Sequence, residues 1–88
     1  AVRLILDLRF DEAEAAVRQI DSDIYGANAL ANAYEAALRH NPRDEAILSR
    51  AIIWVRNAFP EPHTALEAET YRSAAEARVA GLMSIFQP

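Results

Sequence analysis

The chain has 88 residues, a net charge of −4 and no Cys, so it is one domain without disulfides, thiolate metal ligands or a Cys nucleophile. Just over half of the residues are apolar, but nineteen of these are Ala, so the supply of bulky core side chains is thin, and the expectation is marginal stability alone, or extra burial from self-association or a larger parent protein. The acidic balance argues against a phosphate-binding surface and hence against nucleic acid, and no apolar run is long enough for a membrane span or a signal core.

All nine cations are Arg, which fits codon usage in a GC-rich genome. The first residue is Ala rather than Met, as expected either after trimming of an initiator or for a piece of a longer chain. The expected location is cytoplasmic.

Residues 1–10 alternate Val2, Leu4, Leu6, Leu8 and Phe10 with Arg3, Ile5, Asp7 and Arg9, a pattern open to a half-buried strand. On a helix, Val2, Leu6 and Phe10 join Ala13, Val17 and Ile20 within about 80°, and that stripe predicts a first helix over 2–20. Its polar side carries Asp7, Asp11 and Glu14, for which solvent is the expected surrounding. Asp11 and Glu14 also have the spacing of a capping box, so the helix can restart at Asp11 after a short break. Asp21, Ser22 and Asp23 mark a boundary rich in N-cap chemistry. A second helix over 23–40 follows, with Ile24, Ala27, Leu30, Ala31, Tyr34, Ala37 and Leu38 on one face. Its many Ala residues and Gly26 call for a close neighbour.

Asn41 and Pro42 end that helix, and Asn41 is a candidate cap for the next, with Pro42 in the first position. The third helix, 43–59, is expected to be central to the fold. Ile47, Leu48, Ala51, Ile52, Trp54, Val55, Ala58 and Phe59 fill an arc of roughly 160°, with Arg50 and Arg56 on the polar side. Pro60 and Pro62 impose a rigid turn. Thr64 and Glu67 form a capping box for a fourth helix over 64–86, about 33 Å long. This helix has a bulky face of Ala68, Tyr71, Ala75, Val79, Leu82 and Phe86. A second face is built from the small residues Thr70, Ser73, Ala74, Ala77, Gly81 and Ser84. Arg72 is expected to lie in a ladder between Glu69 and Glu76.

Two stretches carry a resemblance. Arg9-Phe10-Asp11-Glu12-Ala13-Glu14-Ala15-Ala16 resembles the start of the second helix of a tetratricopeptide repeat. Tyr34-Glu35-Ala36-Ala37-Leu38-Arg39-His40-Asn41-Pro42 is similar to the end of one. Leu8 stands where that pattern has Gly, and the two stretches lie out of the 34-residue register of tandem repeats. The resemblance implies a helical scaffold that binds peptide or helix segments.

The reading is therefore an all-α domain, a small antiparallel bundle of about four helices, in the manner of helical hairpins and α-solenoids. It predicts a non-enzymatic module that binds protein, self-associating through the last helix, with Ile53, Ala77, Gly81, Leu82, Met83, Ile85 and Phe86 as the contact residues. No catalytic residue, metal or cofactor is expected. His63 and Glu67 have the i,i+4 spacing of metal ligands, but Glu67 is already explained as a cap. The alternative is a bundle holding a ligand or metal between the third and fourth helices, lined by Tyr34, Trp54, His63 and Tyr71.

Overall fold

The computed structural model describes residues 1–20 and 24–88, and in those residues the protein is an all-α bundle of five helices. The expected boundary at Asp21, Ser22 and Asp23 lies outside the described residues. The helices are α1 (Val2–Leu6), α2 (Phe10–Ile20), α3 (Ile24–His40), α4 (Glu45–Asn57) and α5 (Ala65–Ile85). No strand occurs among the described residues, which settles the ambiguity at the start of the chain in favour of helix.

The expected first helix is two helices because the chain breaks at residues 7–9. Leu8 is left-handed, with φ of 61°. Its N–H donates to the carbonyl of Ile5 at 2.9 Å, and the Arg9 N–H donates to that of Leu4 at 2.8 Å. These two bonds make a Schellman stop, which satisfies the last carbonyls of α1. The left-handed position normally takes Gly, since a Cβ there crowds the backbone. With Leu8 in it, the stop survives only because Ile5, fully buried, is fixed in the core together with Phe10 beyond the break. The restart differs from the expectation as well. The Ala13 N–H bonds the Arg9 carbonyl, placing the helix start one residue before Asp11, and Asp11 and Glu14 point elsewhere.

The remaining boundaries follow from capping. Asn41 and Pro42 close a turn in which the Asp44 N–H bonds the Asn41 carbonyl at 3.1 Å. Asp44, and not Asn41, caps α4: its carboxylate accepts from the N–H groups of Ala46 and Ile47 at 3.0 and 3.2 Å. A short carboxylate in extended backbone, at the positive end of a helix, outcompetes Asn41 for that role. At α5 the Thr64 half of the expected capping box forms, with Thr64 Oγ1 accepting from the Glu67 N–H at 3.0 Å. The Glu67 carboxylate then accepts from the Tyr71 hydroxyl at 2.6 Å. Beyond α5, the Gln87 N–H bonds the Pro42 carbonyl at 2.6 Å and ties the end of the chain to the α3–α4 turn.

The hub is α3, a correction to the expectation that residues 43–59 are central. α3 packs against α1, α2, α4 and α5, whereas α4 packs chiefly against α3 and α5. Bulk misleads here. Ala27, Ala31, Ala33 and Ala37 are all buried on α3, and short side chains let four neighbours approach one helix. The core gathers Ile5, Leu30, Tyr34, Leu38, Ile47, Trp54, Val55, Val79 and Leu82 around it. Ile20, expected in the buried stripe of the first helix, is 88% exposed at the last position of α2, while Ala13 on the same stripe is fully buried.

Replacing Leu8 by Gly removes the left-handed penalty while deleting a side chain that lies half in solvent. Leu8→Gly is expected to raise the unfolding free energy by about 1 kcal/mol, measured by urea titration.

Candidate functional site

Three regions hold the residues that chemistry or recognition could use: a polar cluster in the core, the outer face of α5, and the groove between α4 and α5.

The polar cluster is centred on Glu14 of α2, which is 8% exposed. The sequence places this carboxylate in solvent, and the structure overturns that. Tyr34 of α3 donates its hydroxyl to Glu14 Oε2 at 2.7 Å. Arg50 of α4 donates from Nε to the same oxygen at 2.8 Å and from Nη2 to Oε1 at 3.2 Å, and it also pairs with Asp11. Arg50 further lies over the Phe10 ring, 5.8 Å from its centroid, and Phe10 is tilted against Tyr34 at 6.2 Å. A two-point Arg–carboxylate pair of this kind is strong and directional, and it joins three helices through one charge. Burial, and then the hydrogen bond and charge of Glu14, raise the Tyr34 pKa well above its ordinary value. Every polar group of the cluster is engaged by another, which marks it as a structural device. Nearby, the Trp54 indole N–H donates to the Ala27 carbonyl at 3.0 Å, and the Arg18 guanidinium lies 5.1 Å from the Trp54 ring centroid.

Helix α5 has two different sides. Ala75, Val79 and Leu82 are buried against the bundle, with Tyr71 and Phe86 half-buried beside them. Arg78 fastens one flank to α3, donating to Asn32 at 2.7 Å and to Glu35 at 2.9 Å. On the outer side, Leu66, Thr70, Ser73, Ala74, Ala77, Ala80 and Ser84 are exposed, and Gly81 is half-exposed. On a helical projection these eight residues span about 120° without one charged side chain. A Cβ on Gly81 would meet nothing within 4 Å, so no neighbour in the fold uses its smallness. Gly81, Ser84 and Ile85 instead form one wall of a groove of about 550 Å³, with Arg39, Pro42 and Gln87 around it.

The expected contact residues divide accordingly. Ala77, Gly81 and Met83 lie at the surface of α5. Leu82 does not: at 1% exposure it is a core residue and cannot meet a partner. Ile85 and Phe86 are half-buried and packed on the same core, so much of the apolar end of the helix is covered within the fold. Ile53 is exposed, but it stands roughly 160° around α4 from the centre of that helix's buried arc and shares no face with α5. Leu66, 74% exposed, belongs to the outer face of α5 and escaped the sequence reading. Its i+4, i+7 and i+11 spacing to Thr70, Ser73 and Ala77 is the signal that identifies it.

The residues proposed to line a ligand site do not converge. Tyr34 and Trp54 are inside the core with their polar atoms bonded, His63 is exposed, and Tyr71 stacks on Phe59 at 5.1 Å and 7°. Among the described residues no three His, Asp or Glu side chains gather as a metal site requires, and no helix is long and apolar enough to cross a membrane.

Two outcomes test the core cluster. Glu14→Ala leaves Arg50 without its main partner; because the Arg50 side chain is still 32% exposed, the expected loss is about 2–3 kcal/mol of unfolding free energy. The replacement of Glu14 by Leu, Tyr34 by Phe and Arg50 by Met together should recover most of it. The raised Tyr34 pKa means that the unfolded chain loses this proton first. Stability is then fully present below about pH 10 and falls as pH rises above it, and in urea titrations from pH 8 to 11 Tyr34→Phe should flatten that fall. Compared with protein-family models, with curated proteins and with solved structures, the chain gives no match.

Proposed function

We propose that the protein is a non-catalytic helical interaction module that associates with a second copy of itself through the outer face of α5. The observation that carries this reading is the charge-free face from Leu66 to Ser84, which the fold leaves open. Small residues at Ala74, Ala77 and Gly81 let another helix approach closely enough for backbone-level packing. Exposed Leu66 at one end supplies bulk that a monomer leaves in water. Met83, though exposed, stands about 60° outside this face, while Leu82 acts from beneath it by fixing the helix to the core.

The need for such a contact follows from composition. The core relies on Ala at seven of its buried positions, and α5 is held by Ala75, Val79 and Leu82 with half-buried Tyr71, Ile85 and Phe86. The apolar residues of α5 are spread around the helix rather than gathered on one side. A helix of that pattern is stable when both sides are covered.

Light scattering across a hundredfold dilution is the direct test. A dimer that dissociates on dilution is expected, and a monomer at every concentration refutes the reading. Gly81→Leu places a large side chain where the fold has open space, and it also improves helix propensity by about 1 kcal/mol. It should therefore abolish association while leaving the monomer's thermal stability equal or higher. Ala77→Glu should do the same by burying a charge in the contact.

A further inference from the structure

The groove between α4 and α5 lies on the other flank of α5 from the charge-free face. It has a volume of about 270 Å³ and is lined by Phe59, Pro60, Pro62, Ala68, Tyr71 and Ala75, with Arg56, Arg72 and Glu76 at its edge. The apolar wall is preset. Phe59 and Tyr71 are stacked, the Tyr71 hydroxyl is held by Glu67, and the two prolines restrict the connecting turn. Such a wall can receive a flat apolar group with little reordering.

The charges at the edge are arranged unequally. Glu76 is placed one turn after Arg72 and is the neighbour expected to neutralise it. Instead Glu76 accepts from Arg56 Nε of α4 at 3.3 Å. Among the described residues Arg72 then makes no ion pair or hydrogen bond. The three charged groups at the edge sum to +1, and the surplus is the unpaired guanidinium of Arg72. A planar cation with five donors beside an aromatic wall matches a carboxylate attached to a flat apolar body.

We infer that this groove is a binding site for a small aromatic carboxylate, with Arg72 pairing the carboxylate and Phe59, Pro62 and Tyr71 covering the ring. The volume sits just below the span of drug-sized pockets and suits a molecule of about a dozen heavy atoms. Binding of such a fragment is expected at a Kd on the order of 1 mM. The site is independent of self-association, because none of its residues belongs to the open face of α5.

The test is a proton–nitrogen NMR titration of the full chain with 3-phenylpropionate, using the neutral 3-phenylpropionamide as control. Saturable shifts are expected at residues 59, 61, 68, 71, 72 and 75, with the amide weaker by about tenfold. Arg72→Gln should weaken the acid to the level of the amide, and Arg72→Lys should restore part of the difference. Arg72 is exposed, so both variants keep the fold, which the undisturbed amide spectrum of α1–α3 verifies. Equal binding of acid and amide overturns the inference. So do shifts scattered away from the groove, or their absence at 10 mM ligand.

Discussion

Glu14 holds the arrangement of this bundle together. A carboxylate removed from water is costly unless its charge and lone pairs are met, and here Arg50 and Tyr34 meet them from two other helices. The consequence is register. α2 can sit only where Glu14 reaches both partners, and α4 only where Arg50 spans Glu14 and Asp11. Apolar packing alone is tolerant of slippage, especially against an Ala-rich surface whose side chains interlock weakly. The polar triad, to which α3 itself contributes Tyr34, adds the specificity that Ala packing lacks.

That division of labour explains why α3 can be the hub. Its Ala side chains give little burial each, but they admit α1, α2, α4 and α5 at close range, and Leu30, Tyr34 and Leu38 of α3 fill the core together with the larger residues of those neighbours. Trp54 reaches across to the Ala27 carbonyl, and Arg78 of α5 reaches Asn32 and Glu35, so α3 is tied on several sides by polar contacts as well as packed. The bundle depends on contacts between helices more than on the strength of any one helix.

Helical class and most helix ends were legible in the sequence because they are local. Thr64 caps α5 through a bond three residues away, and Pro42 ends α3 by its own geometry. The two-faced character of α5 was also plain from spacing. Glu14 was not, because its partners are 20 and 36 residues away and a carboxylate one position off the apolar stripe looks solvated. About 40° separates it from Phe10 on a helical projection, near enough to be drawn inward when Arg50 arrives opposite. The break at Leu8 was hidden for another reason: nothing local favours Leu in a left-handed position, and only tertiary packing imposes it. The same limit applies to the candidate surfaces. Small residues on α5 are visible by spacing, whereas the diversion of Glu76 from Arg72 to Arg56 depends on how α4 lies beside it.

The placement of Trp54 decides what light can report about this protein. It is the only Trp, it is buried at the seam of α3 and α4, and its indole N–H is bonded to the Ala27 carbonyl. Its emission should therefore be blue-shifted in the native state and should follow loss of that seam on unfolding. The outer face of α5 contains no aromatic side chain. A change there is invisible to this fluorophore, so intrinsic fluorescence tracks the integrity of the core and stays silent on the surface.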